Sequence, residues 1–75
     1  MLGNKNTIAN LNEQRNELTG HIAFLYSKMI TAFNENYFGE GKIYYKLLLK
    51  AEKKLDRIDA KLNKLNFKRN LLNKI

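Results

Sequence analysis

The sequence has no cysteine, no proline and no tryptophan, and it holds a single histidine, His21, and a single serine, Ser27. Without Cys there is no disulfide framework, no thiolate metal site and no thiol nucleophile. One His and one Ser leave almost no material for a catalytic triad or a histidine metal cage. The two lie in one helical stretch and point roughly 120° apart at about 100° per residue, too far to share a proton. No phosphate-binding glycine loop, dinucleotide fingerprint or zinc spacing is present. Glu52, Asp56 and Asp59 form an acidic edge that could at most hold Mg²⁺ weakly, and its plainer reading is a solvated edge. The expectation is a protein that is not an enzyme, with no catalytic residues, no cofactor and no metal.

Long apolar runs are missing too. The longest clear one, Ile22-Ala23-Phe24-Leu25-Tyr26, is far short of the ~20 residues of a membrane span. Met1-Leu2-Gly3-Asn4-Lys5 is not followed by an apolar stretch of the secretory type, so a cytoplasmic location is expected. Eleven Asn, with many Lys and Ile, suggest an AT-rich genome and hint at a low-GC bacterium, a phage or a mobile element.

What the chain does have is helical patterning. At 75 residues it is one domain, and a single core of this size usually needs a staple, a metal or a partner. The absence of Pro leaves two long stretches free to be helical. The spacing predicts helix 1 over about 6–37, with Asn6 or Thr7 as N-cap, and helix 2 over about 42–73. The Gly39-Glu40-Gly41 cluster is expected to supply the turn, since Gly readily takes the left-handed conformation that ends a helix. In helix 1, Ile8, Arg15, Ile22 and Met29 occupy heptad position a, and Leu11, Leu18, Leu25 and Ala32 occupy d. In helix 2, Leu48, Leu55, Leu62 and Arg69 take a, and Tyr44, Ala51, Ile58, Leu65 and Leu72 take d. This sustained 3-4 spacing is the pattern of a coiled-coil seam.

Folding the chain about Glu40 makes opposed residue numbers total 80 and sets every a against a d. Leu25 then faces Leu55, Ile22 faces Ile58, Arg15 faces Leu65 and Leu11 faces Arg69. The predicted fold is therefore all-α: an antiparallel two-helix hairpin, expected to dimerise into a helical bundle. A continuous helix broken by two glycines is the alternative. The two seam arginines are expected to run their stems along the seam and their heads to water, or else to form a local anion site or pair with Glu17 or another acid.

Near the bend the apolar content exceeds what one seam can bury. Tyr26, Ile30, Phe33 and Tyr37 form a second stripe on helix 1, joined by Phe24 and Phe38. Ile43, Tyr45, Leu47 and Leu49 face it from helix 2, and seven of the eight aromatic residues lie in 24–45. Such a surplus marks a dimer core or a partner site.

Charge is divided unevenly. Residues 1–40 carry three basic and four acidic side chains, whereas residues 41–75 carry eleven and three. Lys46, Lys50, Lys53, Lys54, Arg57, Lys61, Lys64 and Lys68 occupy positions c, f and g, and the acids and Asn residues occupy b and e. No acid precedes a Lys by four residues in the pattern that merely stabilises a helix. The basic stripe is roughly 33 Å long at 1.5 Å per residue. It could be a solvated face, a salt-sensitive nucleic-acid surface or a dock for an acidic protein. Arg, the usual base reader, occurs on it only at Arg57.

Small helical-hairpin aspartyl-phosphate phosphatases of sporulation control carry an Arg-x-x-Leu element and a Ser-Gln-x-Leu-Asp element. Arg15-Asn16-Glu17-Leu18 and Glu52-Lys53-Lys54-Leu55-Asp56 are faintly similar to these, but the Ser and Gln are absent here, and membership is not assigned. The sequence thus predicts a small interaction module that binds and modulates a larger protein. The alternative is a nucleic-acid-binding hairpin dimer that uses the basic face of helix 2.

Overall fold

The computed structural model describes residues 7–73, which form two α-helices packed side by side: α1, Ile8–Asn34, and α2, Phe38–Asn73. Thr7 caps α1. Its backbone is extended, its hydroxyl accepts from the Asn10 N–H at 3.2 Å, and its carbonyl accepts the Leu11 N–H at 2.9 Å. This satisfies donors that the first helical turn leaves unpaired. Asn6, the other N-cap candidate, lies outside the described residues.

The chain reverses earlier than the glycines suggest. α1 stops at Asn34 rather than near 37, α2 begins at Phe38 rather than 42, and Glu35-Asn36-Tyr37 makes the turn. Asn36 takes the left-handed conformation, φ 67°. The Asn36 N–H donates to the Phe33 carbonyl at 3.1 Å and the Tyr37 N–H to the Ala32 carbonyl at 2.8 Å. These paired bonds are a Schellman motif, in which Asn can replace the usual Gly because its short polar side chain tolerates that region. The Tyr37 carbonyl then accepts the Gly41 N–H at 2.9 Å and opens α2. Gly39 and Gly41 sit inside the first turns of α2, and neither has a positive φ.

Gly41 has a different task. It is buried against α1, and a Cβ built there would lie 2.6 Å from the Phe33 ring. The missing side chain lets the ring pack directly on the α2 backbone. The Phe33 and Phe38 ring centroids lie 6.3 Å apart beside this contact.

Moving the bend shifts the register by one heptad. Arg15 meets Asp59, Phe33 meets Gly41 and Leu25 packs with Leu48, so opposed numbers total 73 to 74, one heptad below 80. Leu25 therefore shares its layer with Leu48 and Ala51, not with Leu55. By the same register Leu11, at 1% exposure the most buried side chain among the described residues, falls opposite the buried Leu62 and not Arg69. Among the described residues all seven that are buried (Leu11, Leu25, Ala32, Gly41, Leu48, Ala51 and Leu62) fall on a or d. Leu18, Ile22, Met29 and Tyr44 pack partly buried around their centre. The seam follows the heptads with its phase shifted along the chain, and the shift leaves the predicted seam residues Arg69 and Leu72 exposed.

Two consequences position the candidate sites. The molecule is a slab of 58 × 27 × 14 Å, barely thicker than one helix with its side chains, which measures about 10–12 Å. Both broad faces therefore meet solvent. α2, at 36 residues against 27, also runs beyond the first turn of α1, and Phe67, Leu71 and Leu72 stand exposed on that overhang.

Candidate interaction surfaces

On each helix, positions e and b turn to one side of the seam and positions g and c to the other. Direct contacts mark both sides. Phe33 with Phe38, and Arg15 with Asp59, define the e side. A groove lined by Gln14, His21, Lys54 and Lys61 defines the g side.

The ten apolar residues expected to form one surface are divided between these faces. Tyr26, Ile30, Phe33, Phe38, Tyr45 and Leu49 belong to the e and b side. Phe24, Ile43 and Leu47 belong to the g and c side. Tyr37 sits at the bend, lining a small cleft with Lys28, Glu35 and Glu40. Nine of the ten are exposed, from Ile30 at 39% to Ile43 at 60%. Phe33 is the exception: it is half-buried, because its ring is spent on Gly41 and Phe38. The sequence pattern also misses Phe67, Leu71 and Leu72, 52–71% exposed. Leu72 fits a d position, and only the heptad shift leaves it with no described α1 residue opposite.

All eight cations of the predicted basic stripe are exposed on α2. Lys50, Lys54, Arg57, Lys61, Lys64 and Lys68 lie at c or g, on the groove side, while Lys46 and Lys53 lie at f, on the outer edge. The e and b side of α2 carries instead Lys42, Glu52, Asp56 and Asp59. Asp59 is held by Arg15, Nε to Oδ1 at 2.7 Å, with the two side chains 43% and 39% exposed. Arg15 thus leaves the seam sideways and finds an acid on α2, not Glu17. Among the described residues no group of three or more His, Asp or Glu side chains is placed to hold a metal ion, and the Glu52–Asp56–Asp59 edge includes one carboxylate already committed to Arg15.

The groove between the helices on the g and c side is shallow and open to solvent, with a volume of about 430 Å³. Leu18 and Ile58, both half-buried, form its floor. Lys54, Arg57 and Lys61 form the α2 wall; Gln14, Glu17 and His21 form the α1 wall. One wall is thus strongly positive, and the other holds a single carboxylate, an imidazole and an amide. Toward the bend the same face continues into Phe24, with the Lys28 ammonium 5.5 Å from its ring centroid, and into Ile43 and Leu47. Ser27 falls at position f on the outside of α1, away from His21.

Among the described residues no helix is long and apolar enough to cross a membrane. Comparison with known proteins gave no match to a family model, a curated protein or a solved structure.

Proposed function

We propose that this protein is a small non-enzymatic interaction module of the cytoplasm, encoded by a phage or mobile element, that self-associates and packs its helices on a larger protein to modulate it. The observation that carries the reading is the exposed cluster Tyr26, Ile30, Phe38, Tyr45 and Leu49 on one face of a slab too thin to bury it. Contiguous apolar surface of that kind serves contact with another protein. Its location favours a second copy as one occupant. The chain carries a net charge of +7, so two copies repel. The aromatic face is where the basic stripe is absent. Two hairpins joined there make a four-helix bundle with both stripes turned outward.

The test is molar mass by light scattering across a concentration series of the full chain. A mass of twice the 8.8 kDa chain is expected, collapsing to the single-chain mass in Tyr26→Glu/Tyr45→Glu. A wild-type chain that stays monomeric at all concentrations, with unchanged helicity, removes the self-association. A second reading is a nucleic-acid-binding dimer, favoured by the eight exposed cations along roughly 33 Å of α2. It requires duplex binding that weakens steeply with salt and is lost in Lys50/Lys53/Arg57/Lys61→Ala.

A further inference from the structure

We infer that the groove on the g and c side is the docking site for an acidic amphipathic helix of another protein. The inference rests on the interaction-module reading and adds to it which face takes the foreign partner and what chemistry that partner has.

Three features of the groove select this occupant. The first is its floor. Leu18 and Ile58 present half-buried aliphatic surface between the walls. A helix laid along the groove covers this floor with its own apolar stripe, as in helix-in-groove recognition. A phosphate backbone has nothing to offer it. The floor also leads toward the exposed Phe24, Ile43 and Leu47, which lengthens the apolar track.

The second feature is the spacing of the positive wall. Lys54, Arg57 and Lys61 on the wall, with Lys50 before them and Lys64 and Lys68 after them at the same c and g positions of α2, follow one another at intervals of four and three residues. That is the interval at which one flank of a second helix presents its side chains. Carboxylates along that flank meet the cations in sequence over about 27 Å at 1.5 Å per residue. The third feature is asymmetry. Within the groove the cations line the α2 wall only, while Glu17 stands on the α1 wall with Gln14 and His21; Lys28, the α1 cation of this face, lies beyond the groove, over Phe24. A ligand that is uniformly negative, such as a nucleic acid, would press charge against Glu17. A helix with acids on one flank and neutral or basic residues on the other satisfies both walls.

The experiment uses the full chain and two capped synthetic helices of about 18 residues, long enough to span the cationic wall. Both carry Leu at a and d. One carries Glu along one flank and Gln along the other, and its twin carries Gln on both. Fluorescence anisotropy is read at roughly 150 mM salt, where long-range attraction between exposed charges is largely screened. The expected result is saturable binding of the Glu helix below about 100 µM, with the Gln twin at least about tenfold weaker.

Lys54→Gln/Arg57→Gln/Lys61→Gln should weaken the Glu helix by about tenfold or more. Lys42→Gln/Lys46→Gln/Lys53→Gln removes the same charge outside the groove and should leave binding within about threefold of wild type. Circular dichroism confirms that both variants remain helical. The inference is overturned if the two helices bind alike, if the Glu helix does not bind by about 100 µM, or if the two triple variants lose binding equally. It is also overturned if a random DNA duplex displaces the Glu helix and binds more tightly than it does. Molar mass measured on the same samples keeps this separate from self-association: failure at the groove leaves the assembly intact, and failure to assemble leaves the groove binding to be read on the monomer.

Discussion

Glycine matters here for what it lacks rather than for the angles it can adopt. Gly41 is the position where the Phe33 ring touches the α2 backbone. Gly41→Ala gains up to ~1 kcal/mol of helix propensity but overpacks the ring at a cost of about 1–3 kcal/mol. The expected outcome is net destabilisation in urea unfolding. Gly20→Ala, with nothing within 4 Å of the new methyl group, should stabilise by about 0.5–1 kcal/mol in the same assay. Asn36 is the residue that does take a left-handed conformation. Asn36→Gly should be tolerated, whereas Asn36→Val should cost about 1–2 kcal/mol, because a side chain branched at Cβ clashes there. The Arg15–Asp59 pair is more than a third exposed on both sides. A double-mutant cycle should therefore return only about 0.2–1 kcal/mol.

At the scale of the helices the decisive feature is register. A seven-residue slip exchanges one set of a-to-d layers for another and leaves every residue on its own face. The pattern of Leu and Ile is thus compatible with opposed numbers totalling 73 or 80, and the contacts select the first. A chain without cysteine is well suited to test this by cross-linking. Leu25→Cys/Leu48→Cys should oxidise readily to an intramolecular disulfide. Leu25→Cys/Leu55→Cys should not, because a position one heptad, about 10 Å, further along α2 lies beyond the roughly 7 Å between Cα atoms that a disulfide spans. The same slip explains the overhang of α2. Leu62→Ala should cost about 2–5 kcal/mol as a buried truncation. Leu72→Ala, at 71% exposure, should stay within about 0.5 kcal/mol.

For the molecule as a whole, thickness and charge act together. A slab 14 Å deep has one layer of buried side chains and two open faces. α1 carries two basic and two acidic residues, so the surplus positive charge rides on α2 and on its c, f and g positions. The aromatic face and the cationic groove consequently look in opposite directions, and one can be covered without occluding the other. Salt should separate the readings by sign. Raising it screens repulsion between cationic copies, so the assembled fraction at fixed concentration should hold or rise. Binding to nucleic acid through the basic stripe should fall instead.

How far the sequence reaches follows from what each signal encodes. The all-α class, the antiparallel pairing and most of the seam residues were legible because burial of one stripe per helix needs only the 3-4 repeat of Ile, Leu and Ala; Arg69 and Leu72, read as seam positions, stand exposed. The exposure of the Lys stripe was legible too, because charges at c, f and g cannot face the seam. The position of the bend was not. Glycine is a general permission for a turn, and here two glycines lie in helix while an Asn closes α1 through local hydrogen bonds. The division of the apolar surplus into two faces was hidden for a related reason, since proximity along the chain says nothing about which side of a seam a ring occupies. What the amino-acid order determined by itself was which residues belong together on a stripe, a property of each helix alone. Which stretch of one stripe meets which stretch of the other, and hence which rings, cations and carboxylates share a face or a groove, was decided only when Phe33 settled on the bare backbone at Gly41 and Asn36 closed the turn.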